Sequence, residues 1–316
     1  MFRLGVTNIS DLRRQLSTNG RAAVDIALFL EVSSAVADDE EAQALQSAVL
    51  SRMRFRNGTY KRTSPNRFDG FDQRLIEVAN EAFPQGAIQI LDVGVSDGST
   101  SAALVRSFKK QAGRKVELLG IDRYMNMEIR RHKKRPIQFA FDACGDLVQV
   151  RCGNFVFNCH ALESWIRFPV NRFLGNLLIP RWRRVFADGN GPDFNRNNVN
   201  LFGRLASSMK ESGAMDLQEG DLFRPPPGPF QLVRAMNVLN PSYFPSESLA
   251  KAVIALRSSL VDDGLLAVGS NENAGSPVEG AIYRRTETGF ERVEQADRPC
   301  RIDSIILDQF CKVGSD

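Results

Sequence analysis

The chain has 316 residues, of which 43% are hydrophobic and 25% are charged, and its formal net charge is +4. These are values of an ordinary globular protein with enough chain for a large core, which excludes disordered and collagen-like classes. No apolar run reaches the roughly 18 residues of a transmembrane helix, and no apolar signal segment follows Met1. Five cysteines without a C-x-x-C pair favour reduced thiols, so the sequence predicts a cytoplasmic protein.

Residues 1–69 are predicted to form an N-terminal helical cap ahead of a main domain at 70–316. A dense apolar run from Ala22 to Val32 indicates a buried helix, and Asp38 can cap a second helix with apolar residues at helical spacing. A lid over a substrate and simple packing against a sheet explain this cap equally well.

The first strand of the main domain is predicted from the apolar run at residues 87–93. A turn containing Gly94 and Gly98 follows it, and a helix then carries apolar residues from Leu104 to Phe108. Strand, glycine loop and helix in this order are typical of nucleotide-binding α/β folds, which bind ligands beyond the carboxyl ends of their strands. The G-x-x-x-G spacing is neither a dinucleotide fingerprint nor a phosphate-binding P-loop.

The remaining strands of the main domain are predicted in order along the chain. They are Val116–Asp122, which ends in an acid, a third strand from Met215 that is followed by Gly220-Asp221-Leu222, a fourth at Phe230–Leu239, a fifth entered through Leu260–Val268, and a hairpin over 281–293. A helix beginning at Ser246 precedes the fifth strand and carries its apolar residues on one face.

The loop Asp92-Val-Gly94-Val-Ser96-Asp97-Gly98 resembles motif I, D/E-x-G-x-G-x-G, of class I S-adenosylmethionine (AdoMet) methyltransferases. Ser96 takes the place of the middle glycine, and later strands resemble family patterns except at Gln231 and Asp263. The resemblance implies an α/β fold with a Rossmann-like seven-stranded sheet whose last strand is antiparallel. It also implies AdoMet-dependent methyl transfer, with S-adenosylhomocysteine as the product.

The resemblance also implies a set of cofactor-binding residues. Loop N–H groups and a helix N-terminus favour the methionine carboxylate of AdoMet, and an acid can pair with its ammonium group. A second carboxylate can accept two hydrogen bonds from the ribose diol. The predicted contacts are with methionine (Asp92, Gly94, Val95, Ser96, Gly98), ribose (Asp122), adenine (Arg123, Asp221, Leu222) and the reactive centre (Met236, Asn237).

No dedicated catalytic base is evident, and methyl transfer from a sulfonium does not always need one. Tyr243, which follows the fourth strand, and His160 are the candidates, and either could be purely structural. Because His132 and His160 are the only histidines and no acids are patterned around them, we expect no metal site.

An insertion at about 125–198 separates the second and third predicted strands. It contains short β-like runs at 136–141, 147–151 and 155–157, and an apolar, arginine-containing segment at 162–186. Between residues 123 and 184 there are 12 basic and 4 acidic residues. This excess of basic residues suits a lid over a small anionic or lipid-like acceptor, contact of 162–186 with acidic lipids, or a surface for a partner protein. The apolar residues of the insertion are explained equally well by packing within a plain subdomain.

The predicted partners are therefore a small-molecule substrate and, through the cap, a second copy in a homodimer. Asn240-Pro241-Ser242-Tyr243 only partly matches the [DNS]-P-P-[YF] motif of amino-group methyltransferases, and we do not expect a nucleic-acid partner. The alternative function is a catalytically inactive methyltransferase-like scaffold or regulator that acts through the basic insertion.

Overall fold

The computed structural model describes residues 5–18, 22–53, 61, 63–159 and 194–308. The chain divides into two compact units. We call residues 1–62 and 124–201 the insert unit, and residues 63–123 and 202–316 the core unit.

The described residues contain the following elements in chain order. The helices are α1 (Ile9–Ser17), α2 (Leu28–Ala35), α3 (Asp39–Ser51), α4 (Asp69–Ala82), α5 (Ser99–Ala112), α6 (Arg204–Glu211), α7 (Ser246–Ser259) and α8 (Asp303–Asp308). The strands are β1 (Ile88–Val93), β2 (Val116–Asp122), β3 (Asn126–His132), β4 (Ile137–Asp142), β5 (Leu147–Cys152), β6 (Phe155–Asn158), β7 (Phe194–Asn200), β8 (Met215–Glu219), β9 (Phe230–Met236), β10 (Leu260–Ser270), β11 (Glu279–Arg285) and β12 (Phe290–Gln295).

The core unit is built on a seven-stranded sheet in the order β12-β11-β10-β9-β1-β2-β8. Strands β8, β2, β1, β9 and β10 are parallel, and β11 and β12 form the antiparallel edge hairpin. The predicted Rossmann-like α/β sheet is confirmed. The prediction that the last strand is antiparallel is wrong, because β10 returns directly into antiparallel β11. A second reversal then makes β12 parallel to the rest.

Helix α5 has clear start and stop signals. The backbone N–H of its first residue, Ser99, donates to Asp97 Oδ1 at 2.9 Å, and the helix ends at Gly113 with a left-handed φ of 61°. Later in the core unit, α7 buries Leu249, Val253 and Leu256 in the apolar core, which also contains residues of the central strands.

The insert unit contains a five-stranded antiparallel sheet in the order β6-β5-β4-β3-β7. It interrupts the chain between β2 and β8, as the sequence predicts, and β4, β5 and β6 coincide with the three predicted β runs to within a residue or two. The strand β3 was missed because it is mostly polar. Only Met127 and Ile129 alternate into its buried face.

The N-terminal helices belong to the same unit as this sheet and share its core, in which Leu45 and Val49 of α3 and Met127 of β3 are members. The cap and the insertion, which were predicted as separate additions, thus form one unit. The buried side chain of Gln149 on β5 donates to Val24 O at 2.8 Å. It also accepts from Ile26 N–H at 2.9 Å, which fixes the N-terminal segment against the inserted strands.

No helix in the described ranges is long and apolar enough to cross a membrane. His160 and the segment 162–186, to which the predicted base and the predicted lipid contact were assigned, lie outside the described residues.

Candidate functional site

The carboxyl ends of β1, β2, β8 and β9 lie along one edge of the core unit's sheet, because these strands are parallel. From β1 the chain passes through α5 to β2 on one side, whereas β9 occupies the other side of β1. The strand order therefore reverses at β1. Open α/β sheets bind their ligands at such a switch point.

The loop after β1 has an unusual backbone. Gly94 and Gly98 both have φ of 76°, and Ser96 between them has φ of 61°. A Cβ on Gly94 would lie 2.9 Å from Val238 Cβ, and one on Gly98 would lie 2.8 Å from Ala206 Cβ. Only glycine therefore fits at these two positions, whereas Ser96 holds a left-handed conformation at a cost of about 1–2 kcal/mol.

The acid at the end of β2 contacts this loop directly. The backbone N–H of Ser96 donates to Asp122 Oδ2 at 2.8 Å. Ser96 and Asp122, which the sequence analysis assigned to different parts of a cofactor, are thus brought together at the switch point. The bond fixes the loop and orients the Asp122 carboxylate.

The acid at the end of β1 is buried in an ionic network. Asp92 is 1% exposed, and its Oδ2 accepts from Ser101 Oγ at 2.6 Å and from Arg234 Nη1 at 3.0 Å. Arg234 on β9 also donates from Nε and Nη2 to the two oxygens of Asp72 on α4, at 3.0 and 2.9 Å. The Phe68 ring lies 5.3 Å from the guanidinium. The contact of Asp92 with a cofactor ammonium stays a prediction, and the structure gives this carboxylate two protein partners.

Burial and charge oppose each other in this network. Burial raises the pKa of Asp72 to about 6, with Arg234 opposing the rise and Asp92 adding to it. Burial alone would lower the pKa of Arg234, but the two carboxylates outweigh it and raise that pKa. The arginine therefore stays charged, and Asp72 is the carboxyl group of this network whose pKa is raised well above its ordinary value. Sequence reasoning missed both residues, although an arginine inside the apolar strand 230–236 was a signal, because a buried charge needs a partner.

The end of β8 adjoins the end of β2, since Gly220 N–H donates to Asp122 O at 3.1 Å. Asp221 is exposed, and its Oδ1 accepts from Phe223 N–H at 3.0 Å, which closes its own turn. Leu222 is buried in the core. Two of the three residues predicted to contact adenine thus follow the strand next to β2, with Asp221 exposed and Leu222 buried in the core.

The end of β9 is joined to the end of β10 through Asn237. Its φ is 59°, its N–H donates to Gly269 O at 2.8 Å, and its Oδ1 accepts from Asn271 N–H at 2.9 Å. Arg67 donates from Nε to Asn271 Oδ1 at 2.7 Å and stabilises the same junction. Met236 is buried directly before it.

The other predicted site residues have simpler surroundings. Val95 is 2% exposed and packs against Gly120, so its side chain is a packing residue. Arg123 is exposed and follows Asp122. Tyr243 lies in the turn after β9 and is 47% exposed. Across the described residues, no group of three or more His, Cys, Asp or Glu side chains could hold a metal ion.

No family model matches the chain, and no curated protein matches it. Among solved structures, the chain is similar to an S-adenosylmethionine-dependent methyltransferase from Clostridium acetobutylicum, with 10% identity, a TM-score of 0.35, and 77% of this chain and 79% of that chain covered. It is similar to a sugar N-methyltransferase from Streptoalloteichus, with 14% identity, a TM-score of 0.34, and 77% and 78% covered.

A third solved structure, described as an S-adenosyl-L-methionine-dependent methyltransferase from Methanococcus maripaludis, has 14% identity and a TM-score of 0.30. The match covers 74% of this chain and 64% of that chain. Because every TM-score is far below 0.5, the activity has to be inferred from the chain's own residues.

Proposed function

We propose that this chain is a class I AdoMet-dependent methyltransferase that binds its cofactor at the carboxyl edge of the core unit's sheet. The observation that carries the proposal is the 2.8 Å bond from Ser96 N–H to Asp122 Oδ2. It joins a glycine-containing loop after β1 to an acid at the end of β2, at the switch point of a Rossmann-like sheet. A glycine loop and a ribose-binding carboxylate are used together in this way by nucleoside-binding folds.

The residues present fit AdoMet. Asp122 would accept hydrogen bonds from the ribose hydroxyls, and Asp221 with the backbone at Leu222 would hold the adenine. The loop from Gly94 to Gly98 and the N-terminus of α5 would favour the methionine carboxylate, since helix N-termini attract anions. When bound, AdoMet supplies a methyl group on a sulfonium, which is already a good leaving group.

The chain's own task would then be to orient the acceptor and exclude water. We propose a small, anionic or lipid-like acceptor because of the basic insertion. Tyr243 is the candidate general base among the described residues. His160, which lies outside the described residues, is the other candidate. We also propose that 162–186 contacts acidic lipid, because this segment combines apolar residues with arginines.

One observation favours the alternative of an inactive, methyltransferase-like scaffold. The Asp92 carboxylate, which would pair with the cofactor ammonium, is already bonded to Arg234 and Ser101. A scaffold of this kind would bind AdoMet weakly, or would bind it without transferring the methyl group.

Calorimetric titration of the full chain with AdoMet and S-adenosylhomocysteine tests the proposal. We expect binding with a dissociation constant in the micromolar range, at least tenfold weaker in Asp122→Asn. That variant keeps an acceptor for Ser96 N–H and removes only the charge, whereas Asp122→Ala also frees the loop and should lose more. The matched control is Asp262→Ala, since that side chain is 94% exposed on β10 and should change affinity less than twofold.

A folded wild-type chain that binds neither compound would overturn the proposal. Cofactor binding that requires Asp122, without labelled methyl transfer to any small-molecule fraction, would favour the scaffold.

A further inference from the structure

The insert unit contains a cavity of about 330 Å³, and none of the residues assigned to the cofactor lines it. It is bordered by α2 and by the strands β3, β4 and β5. The residues that line it are Glu31, Arg131, His132, Arg135, Pro136, Ile137, Gln138 and Arg151. Its volume is at the lower end of the range for small-molecule sites.

The lining carries more positive than negative charge. Three arginines face one acid, Glu31, whose carboxylate is 3.7 Å from Arg131. Arg151 is paired with Asp25 at 2.6 Å. Arg135 is exposed, and it has no acidic partner in the part of the chain that the structure describes. The cavity therefore has an excess of positive charge, to which Arg135 contributes most directly.

A buried hydrogen-bond network holds two of these arginines in place. Asp25 is fully buried, and its two oxygens accept from Arg151 Nη1 at 2.6 Å and from Gln138 Nε2 at 2.7 Å. The other end of the same amide, Gln138 Oε1, accepts from Arg131 Nε at 2.9 Å. Both guanidinium groups are thus oriented before any ligand arrives, which lowers the entropy lost on binding.

The turn that carries Arg135 is also fixed. His132 Nδ1 accepts from the backbone N–H groups of Lys134 and Arg135 at 3.0 and 3.2 Å. With Nδ1 acting as an acceptor, the hydrogen of the neutral ring is on Nε2, which makes His132 a potential donor to a ligand. The turn keeps Arg135 next to the cavity.

We propose that this cavity binds the oxyanion group, phosphate or carboxylate, of a small molecule. Guanidinium groups present planar pairs of N–H donors that match both oxyanions, and preorganised arginines bind them more selectively than lysines do. The proposal explains why part of the basic excess of the insertion is gathered in one concave place. It does not depend on the proposed methyltransferase activity.

Calorimetric titration of the full chain at constant ionic strength, with phosphate, glycerol 3-phosphate and succinate as probes, tests this inference. We expect saturable binding of at least one probe, and the ranking of phosphate against succinate identifies which oxyanion the site takes. Arg135→Gln and Arg131→Gln should each weaken that binding at least tenfold. Arg135 is exposed and Arg131 is half-buried, and Asp25 keeps its bonds to Arg151 and Gln138 in both variants, so we expect both to fold.

The matched control is Lys134→Gln, which removes one charge from the same turn but does not line the cavity. It should change affinity less than threefold. Equal weakening by the lysine and arginine variants would show general charge attraction, and failure of every probe to saturate would show no site. Either result overturns the inference. Asp122→Asn should leave oxyanion binding unchanged. Failure of the oxyanion site can therefore be distinguished from failure of the proposed cofactor site.

Discussion

Replacing Arg234 with methionine should destabilise the core unit strongly. The guanidinium makes two hydrogen bonds to Asp72 and one to Asp92, and the three side chains are between 1% and 8% exposed. Removing it leaves two buried carboxylates close together without a counter-charge. Breaking a buried ion pair from one side costs about 3–5 kcal/mol, and we expect a loss of that size in the free energy of unfolding at pH 7.5.

The loss should depend on pH in a defined direction. The pKa of Asp72 is already raised to about 6 with Arg234 in place. Removing Arg234 should raise this pKa further, because the arginine's charge opposes the rise. At pH 5 Asp72 is then protonated in the folded variant, so the loss should be about 1–2 kcal/mol smaller than at pH 7.5. Adding Asp72→Asn to Arg234→Met should recover a similar amount at pH 7.5.

Urea unfolding followed by far-ultraviolet circular dichroism measures these differences, and hydrogen exchange of peptides from β1 and β9 assigns them to the core unit. Arg106→Met on the exposed face of α5 is the control and should change stability by less than about 0.5 kcal/mol. A loss below about 1 kcal/mol for Arg234→Met, or the same loss at both pH values, would refute the ionic network as described.

Three further predictions concern separate features. The pKa of Asp72 in the folded chain, about 6, exceeds the ordinary value of 3.8. Protonated Asp72 therefore stabilises the fold fully below pH 3.8, and this stabilisation is lost as the pH rises to about 6. In urea titrations, the free energy of unfolding of the wild type relative to Asp72→Asn should fall by about 3 kcal/mol over this range. Gly98→Ala should lower both the melting temperature and S-adenosylhomocysteine affinity because its Cβ would meet Ala206, whereas Gly113→Ala, with open space around it, should leave affinity unchanged. Gln149→Leu should destabilise the insert unit by about 2–3 kcal/mol by leaving buried backbone groups unpaired, measured by hydrogen exchange of the segment around residue 26.

The sequence predicted the parts of the core that depend on local patterns. The apolar run before Gly94, the glycine loop and the helical spacing after it are all visible within about fifteen residues, and β1, the loop and α5 follow from them. The acid at the end of β2 was recognisable for the same reason. Alternation and turn residues likewise placed β4, β5 and β6.

What the sequence did not predict depends on contacts between distant residues. The partner of Arg234 on α4 is 162 positions away, and Gln149 bonds to Ile26 across 123 positions, so no local periodicity reveals either pair. The union of the N-terminal helices with the inserted sheet was missed for this reason. The direction of the last strand, β12, was predicted from the family resemblance to be antiparallel, but the reversals from β10 to β11 and from β11 to β12 make it parallel to the central strands.

Hydrogen–deuterium exchange of the full chain, with and without S-adenosylhomocysteine, tests the location of the proposed cofactor site most directly. We predict slower exchange in peptides that cover the loop after β1 at 94–98, the end of β2 at 120–123, the end of β8 at 219–223 and the end of β9 at 236–240. The same concentration should give no such protection in Asp122→Ala. Unchanged exchange in all four segments of a folded wild-type chain, or protection confined to other segments, would contradict the account.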